Sequence, residues 1–168
     1  NFNLAVNSLP TDVNLENLNG KSKTYYDILN LKKNILEIHR KEFMSALFSK
    51  KVYIVEGIND ELFLKKLLIK AGKQYEQYNI FQCYGKPHFF PFITIFKSLG
   101  IEVVILFDED KTTNEINVKI NTVLEQNKHY KFTGCLESEI GYEDKYNTPE
   151  FLEFLDNFNS YEQYFDIV

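Results

Sequence analysis

Two short apolar runs that each end in acidic residues constrain the fold of this chain more than any other feature. The first covers residues 52–55 and leads into Glu56, and the second covers residues 103–107 and leads into an Asp-Glu-Asp triplet that begins at Asp108. Such runs, rich in β-branched residues, are typical of strands buried on both faces of a parallel sheet. Open α/β sheets bind their ligands just beyond the carboxyl ends of these strands. The two runs therefore predict a cluster of carboxylates at one edge of a sheet.

The remainder of the chain alternates between strand-like and helix-like patterns. We predict strands at about 51–56, 79–84, 102–107 and 131–136, and helices at about 60–71, 88–99, 114–127 and from 149 onward. An amphipathic helix is predicted within residues 24–48, before the first strand. Strands that alternate with helices of this length predict βαβ crossovers. The expected fold is an α/β, Rossmann-like parallel sheet of about four strands, with helices on both faces.

Length and composition fit an ordinary globular domain. The chain has 168 residues, of which 44% are hydrophobic and 26% are charged. No apolar run is long enough to cross a membrane, and the first residues lack the layout of a signal peptide. Cys83 and Cys135 lie in apolar contexts, which favours reduced core residues over a disulfide. These features predict a cytoplasmic protein without a membrane partner.

The charge is distributed unevenly. The net charge is −5, but residues 133–168 alone carry nine acidic residues and one basic residue. Residues 1–132 therefore carry 18 basic and 15 acidic residues, which is a small positive excess. Because contacts to phosphate are local, overall acidity does not exclude a nucleic-acid partner. Lysine pairs occur in this part of the chain at residues 32–33, 50–51 and 65–66, and such pairs on helices are usually only solvated faces.

The acidic residues after the first and third strands are the strongest candidates for a metal site. Asp108 and Asp110 are two positions apart, so at the end of a strand both side chains point to the same side. Glu56 reaches the same edge of the sheet, and clustered carboxylates are usually neutralised by a hard cation such as Mg²⁺. Asp60 is a further candidate, although an acid in the first turn of a helix is also explained by the helix dipole. Asn59 is expected to cap that helix.

Two further residues are candidates at the same edge. Glu137 follows the fourth predicted strand and is a possible additional ligand, with Glu139 as its competitor. Lys86 follows Gly85 after the second predicted strand, where a lysine can bind a phosphate. A single lysine in a loop is more often exposed and without a specific role.

Four features, in this order along the chain, resemble a Toprim domain. They are Glu56 within Val-Glu-Gly, Asp60 four positions later, Gly85-Lys86, and Asp108-Glu109-Asp110. More narrowly, residues 46–61 resemble the OLD (overcoming lysogenization defect) family of ATP-dependent nucleases, in which a helix ending in Ala-Leu-Phe leads into Val-Glu-Gly-x-x-Asp-Glu. Residues 132–141 are similar to the later acidic motif of that family. The resemblance covers roughly residues 24 to 145.

The resemblance implies a metal-dependent DNA endonuclease. Members of the family carry a Toprim nuclease on the C-terminal side of an ABC-type ATPase, and they cut DNA with two divalent ions, often in defence against phage. Carried over by position, the ligands of Mg²⁺ or Mn²⁺ are Glu56, Asp60, Asp108, Asp110 and Glu137. Lys86 then offsets charge on the phosphate, and together with Glu56, Asp108 and Asp110 it forms the catalytic set.

The same resemblance suggests how the chain is organised. We expect residues 1–23 to be the tail of an upstream ATPase-like domain or a linker, 24–48 a connecting helix, 49–145 the Toprim domain and 146–168 an acidic helical segment. The chain has no Walker A motif, so ATP is expected to bind only to an upstream domain. The connecting helix is a candidate packing surface, and we expect a homo-oligomer. A late catalytic lysine of the family has no assigned counterpart here, although Lys145 lies after the fourth strand.

Two other functions fit parts of the pattern. Asp108 to Thr112 also fits Asp-x-Asp-x-Thr, the nucleophile motif of haloacid-dehalogenase-type phosphatases. That motif normally opens its domain, and too little chain follows it here for the remaining motifs. A Toprim module that only binds DNA or protein is the more serious alternative. Intact carboxylates argue against it, because clustered acids are costly without an ion.

Overall fold

The computed structural model describes residues 40–83, 85–86, 89–109, 118, 128–143 and 148–168. Within these residues the chain forms a four-stranded sheet with helices on both faces. The elements are α1 (Arg40–Leu47), β1 (Lys51–Val55), α2 (Ile58–Lys70), β2 (Asn79–Gln82), α3 (Phe89–Ser98), β3 (Glu102–Glu109), β4 (Lys128–Thr133), α4 (Leu136–Ile140) and α5 (Thr148–Asn157). Two 3₁₀ helices, Tyr75–Gln77 and Tyr161–Ile167, complete this part of the chain.

The strands lie in the order β2-β1-β3-β4, and all three pairings are parallel. β1 pairs on one side with β2, where Ile54 lies opposite Phe81, and on the other side with β3, where Ile54 lies opposite Ile105. The chain therefore leaves β1 toward one neighbour and returns to its other side for β3. This arrangement creates a topological switch point, where open α/β sheets form a crevice at the carboxyl ends of the strands.

Side chains of β1 alternate between two hydrophobic cores. Val52 and Ile54 pack with α1 and α3 on one face of the sheet, whereas Tyr53 and Val55 pack with α2 on the other. The first core is rich in phenylalanine, and the rings of Phe81 and Phe92 meet at 4.4 Å between centroids in a T-shaped contact. The apolar run at residues 52–55 of β1 follows from burial on both faces of the sheet.

The C-terminal segment closes the second core. Phe151 and Leu155 of α5 and Tyr161 of the following 3₁₀ helix are buried against α2. The ring of Tyr161 stacks on that of Phe63 in α2, at 5.8 Å between centroids. Lys66 of α2 also forms an ion pair with Asp156. The acidic segment is therefore an integral part of this face of the domain.

The predicted elements agree with the structure in type and, except for the fourth strand, closely in position. The predicted α/β fold with a parallel sheet is confirmed. The fourth strand was placed too late, because it runs from 128 to 133 and a short helix begins at Leu136. β3 extends through Asp108 and Glu109, which were predicted to follow it. Most of the predicted helix over 24–48 and of that over 114–127 lies outside the described residues.

Two simpler expectations concern cysteine and the membrane. Cys83 and Cys135 are both buried and form no disulfide, as predicted. In the described part of the chain, no helix has both the length and the apolar character that crossing a membrane requires.

Two buried tyrosines provide a matched test of this packing. The pKa of each is raised to about 12, mainly by burial, so both hydroxyls stay neutral at ordinary pH. The Tyr161 hydroxyl donates to the Leu155 carbonyl oxygen at 2.8 Å, whereas the Tyr53 hydroxyl has no hydrogen-bond partner among the described residues. We expect Tyr161→Phe to lower the free energy of unfolding by about 1 kcal/mol. Tyr53→Phe is expected to leave it unchanged or to raise it.

Urea denaturation of the two variants beside the wild type measures this difference. An equal loss of stability in Tyr53→Phe would contradict the described environment of that hydroxyl.

Candidate metal centre

The candidate site lies at the switch point, where β1 and β3 end side by side. Glu56 is the first residue after β1, and Asp108 is the second-last residue of β3. Both are partly buried, and the pairing of Ile54 with Ile105 brings these two strand ends to the same edge of the sheet. The sequence prediction that acids from separate strands meet there therefore agrees with the described geometry for this pair.

Asp60 is positioned by the start of α2. Gly57 is the N-cap residue, and its backbone N–H donates to Oδ2 of Asp60 at 2.7 Å. The expectation that Asn59 caps this helix is wrong. Asn59 is the second residue of the helix, and its side-chain amide donates to Glu137. The alternative explanation of Asp60 as a helix-terminus acid is thus partly correct. One of its oxygens completes the N-terminus of α2, and its second oxygen remains available for another interaction.

Gly57, the N-cap residue of α2, has an ordinary backbone conformation. Its backbone is extended, with φ −143° and ψ −175°, which any residue adopts. A Cβ atom at this position would meet Oδ2 of Asp60 at 3.6 Å, an ordinary contact distance. A glycine is therefore not required here by backbone conformation.

The electrostatics of Asp60 bring four carboxyl groups into one neighbourhood. Asp60 is only 6% exposed, and burial raises its pKa well above the usual value. The negative charges of Asp108, Glu56 and Glu137 raise it further, against the lowering effect of the hydrogen bond from Gly57. Because repulsion of this kind falls with distance, the carboxyl groups of Asp108, Glu56 and Glu137 lie near Asp60.

Glu137 reaches this site from α4, the short helix that follows β4. Its Oε1 atom accepts a hydrogen bond from Nδ2 of Asn59 at 2.8 Å, and the residue is 8% exposed. The helix begins against β3, since the Leu136 N–H donates to Oδ1 of Asp108 at 2.9 Å. Glu139, the competing candidate, accepts instead from the Tyr130 hydroxyl at 3.0 Å and from the backbone of β4. Of the two glutamates, Glu137 is therefore the one at the site.

Lys86 lies at the same edge but is not an exposed loop residue. The Gly85 N–H donates to the Glu56 carbonyl oxygen at 3.1 Å, which holds the loop after β2 against the end of β1. Lys86 itself is only 2% exposed. A buried lysine usually has an ionic or hydrogen-bonded role. Its position is better suited to balancing charge within the site than to reaching a distant phosphate.

Glu109 and Cys83 are two further residues close to the candidate site. Glu109 turns to the other face of the sheet and forms an ion pair with Lys131 at 2.7 Å, as expected from strand alternation. The Cys83 thiol donates to the Val55 carbonyl oxygen at 3.2 Å, at the end of β1. Its pKa is raised well above the usual value by burial and then by the charges of Glu56 and Asp60. This proximity could not be predicted from the sequence, where Cys83 has the pattern of an ordinary core residue.

The carboxylate side chains at this edge are suitable ligands for a hard divalent cation. Carboxylate oxygens are the ligands that Mg²⁺ and Mn²⁺ prefer. Among the described residues, no group of three or more His, Cys, Asp or Glu side chains is already arranged around one ion position. Asp110, the second acid of the predicted pair, and Lys145 lie outside the described residues. The assignment of individual ligands therefore stays a prediction.

Replacing Asp60 tests the repulsion within the cluster. Asp60→Asn keeps an oxygen that accepts from the Gly57 N–H but removes the buried charge. Because the pKa of Asp60 is raised in the folded state, protonation favours folding, and the wild type loses stability as pH rises through that pKa. In EDTA we expect Asp60→Asn to melt at a higher temperature than the wild type at pH 8. The advantage should shrink as pH falls toward 4.

Glu61→Gln is the matched control, because Glu61 lies in the same first turn but pairs with Lys65 at the surface. It removes the same favourable charge from the helix terminus and should lower the melting temperature slightly. If Asp60→Asn behaves like Glu61→Gln at pH 8, the cluster is not the repulsive site described above.

Comparison with known proteins agrees with this geometry. Residues 47–110 match the sequence model of the family described as overcoming lysogenization defect protein-like, TOPRIM domain. The matched segment begins at the end of α1 and includes β1, α2, β2, α3 and β3, and hence Glu56, Asp60 and Asp108. No curated protein matches the chain. Toprim domains are commonly metal-binding nuclease or primase domains. The family match over residues 47–110, together with the parallel sheet and its strand order, supports a Toprim domain like that of overcoming lysogenization defect proteins in this part of the chain.

Proposed function

We propose that this domain is a divalent-metal-dependent endonuclease that hydrolyses phosphodiester bonds in DNA. The observation that carries the proposal is the position of the buried Asp60 carboxyl at the switch point, where β1 ends before Glu56 and β3 ends with Asp108 and Glu109. The pKa of Asp60 is raised first by burial and then by the charges of Asp108, Glu56 and Glu137. Such a cluster destabilises the folded protein unless a cation neutralises it. Clusters of this kind are characteristic of functional sites, where they are retained for chemistry.

The residues of the site divide into those that would hold metal and those that support it. Glu56, Asp60, Asp108 and Glu137 supply carboxylate oxygens from β1, α2, β3 and α4, and Asp110 is proposed as a further ligand. Mg²⁺ or Mn²⁺, in our proposal two ions, would neutralise phosphate charge and make a water molecule more acidic. Lys86 contributes positive charge from the loop after β2. Ligands on separate rigid elements fit a site that must keep its shape while a strand of DNA is bound.

The context of the domain is part of the same proposal. By its likeness to the family, the domain would lie on the C-terminal side of an ABC-type ATPase, assemble as a homo-oligomer and act in phage defence or DNA processing. The ATP site would belong to that upstream domain. The cytoplasm is the proposed location, in keeping with two buried cysteines that form no disulfide.

Plasmid cleavage tests the proposal directly. The natural polypeptide that carries this chain is incubated with supercoiled plasmid in Mg²⁺, Mn²⁺ or EDTA. Asp108→Asn is the preferred variant, because asparagine can still accept the hydrogen bond from the Leu136 N–H, whereas alanine cannot. We expect metal-dependent nicking or linearisation by the wild type and at least a hundredfold slower cleavage by Asp108→Asn, on the order of the loss of one transition-state contact.

Glu109→Gln serves as the control, since Glu109 is adjacent in sequence but is paired with Lys131 on the other face. It should cut at close to the wild-type rate. Metal binding without cleavage of any DNA would instead favour a Toprim module that only binds DNA or protein. Cleavage that persists unchanged in Asp108→Asn would refute the site.

A further inference from the structure

One buried hydrogen bond joins two elements of the site that are far apart in the chain. Asn59 Nδ2 donates to Glu137 Oε1 at 2.8 Å, across 78 positions of sequence. Both residues are almost fully buried, at 9% and 8% exposure. Asn59 lies in the first turn of α2, directly before Asp60, and Glu137 lies in the first turn of α4. The bond therefore runs between the two helices that bring acids to the cluster.

The chemistry of this bond suits a group that orients a ligand. A carboxylate with one oxygen held by a neutral amide keeps its negative charge and loses rotational freedom. The charge of Glu137 also adds to burial and to the charges of Asp108 and Glu56 in raising the pKa of Asp60, so Glu137 lies close enough to Asp60 to interact with it electrostatically. Partners of this kind around a metal site commonly change metal affinity by about 10- to 100-fold when they are removed.

The alternative is that the bond only ties α4 to α2. The described contacts show that α4 does not need this bond to stay in place, because other interactions hold the helix at both ends. The Leu136 N–H donates to Asp108 at its start, and Glu139 accepts from Tyr130 and from the backbone of Thr133. Leu136 and Ile140 are also buried in the second hydrophobic core. The helix is thus anchored without Asn59.

We propose that Asn59 is a positioning residue, which fixes the Glu137 carboxylate so that it can bind the divalent cation beside Asp60. This inference rests on the proposed function, since it requires a metal at the cluster. It assigns to Asn59 a role distinct from helix capping. In the metal-free protein Asn59 holds Glu137 in place, and in the metal-bound protein it supports a ligand without contacting the ion.

Metal affinity, measured without DNA, tests the proposal. Titration of the natural polypeptide with Mn²⁺, followed by electron paramagnetic resonance of the free ion, gives the affinity, and melting in EDTA gives the stability of the metal-free fold. We expect Asn59→Ala to weaken Mn²⁺ binding at least tenfold. Glu139→Ala, which removes the other side-chain anchor of α4, should lower the melting temperature but leave Mn²⁺ affinity within about twofold of the wild type.

The comparison of Asn59→Ala with Glu139→Ala decides between positioning and simple anchoring. Unchanged Mn²⁺ affinity in Asn59→Ala, or an equal loss in both variants, overturns the proposal. If Asn59 acts through Glu137, then adding Asn59→Ala to Glu137→Ala should cause no further loss of affinity. A further loss would show that Asn59 acts by another route.

The two proposals fail in different ways. A wild-type protein that binds no Mn²⁺ contradicts the metal-dependent function, and the role of Asn59 with it. A wild type that binds Mn²⁺ and an Asn59→Ala variant that binds it equally well contradict only the role of Asn59.

Discussion

The pairing of β1 with both β2 and β3 is the constraint on which the rest of the structure depends. Because β1 is central, the side chains of residues 52–55 are buried, and the first carboxylate, Glu56, follows directly after the strand. α2, which follows β1, packs on one face of the sheet, and α3, which follows β2, packs on the other face. The segments that leave β1 and β2 therefore run to opposite sides of the sheet. A crevice between the ends of β1 and β3 follows from this topology. The candidate site occupies the place that the sheet order creates.

Asp60 shows how stability and function compete at this crevice. Its hydrogen bond from Gly57 satisfies the first turn of α2, which favours folding. Its burial beside Asp108, Glu56 and Glu137 opposes folding while all four groups are ionised. A cation that binds only the folded state would offset this repulsion and couple metal binding to stability. Lys86, buried at the same edge, supplies positive charge from the protein itself.

Local patterns predicted the parts of the fold that local physics controls. β1 and β3 were recognisable because burial on both faces demands an unbroken apolar run. β4 was misplaced because it is an edge strand, Lys128–Thr133, with only one fully buried residue, so its sequence lacks that run. The acids at the strand ends followed from the same pattern. A parallel sheet brings its carboxyl ends together whatever the intervening loops contain.

Contacts between residues far apart in the chain could not be predicted from the sequence. Asn59 was expected to cap α2, because that is the common local role of asparagine before a helix. Its bond to Glu137 depends on where α4 docks, and α4 itself has only five residues and was not predicted. The choice between Glu137 and Glu139 likewise required the position of Tyr130 on β4. Such tertiary choices follow from packing, which no single stretch of sequence encodes.

Crystals of the protein grown with Mn²⁺, with anomalous diffraction measured at the manganese absorption edge, would show whether this crevice binds a divalent cation. We expect anomalous density within bonding distance of carboxylate oxygens from Glu56, Asp60 and Asp108, at the carboxyl ends of β1 and β3. Density confined to acids of the C-terminal segment, or a crevice that holds no manganese at saturating concentration, would contradict this expectation.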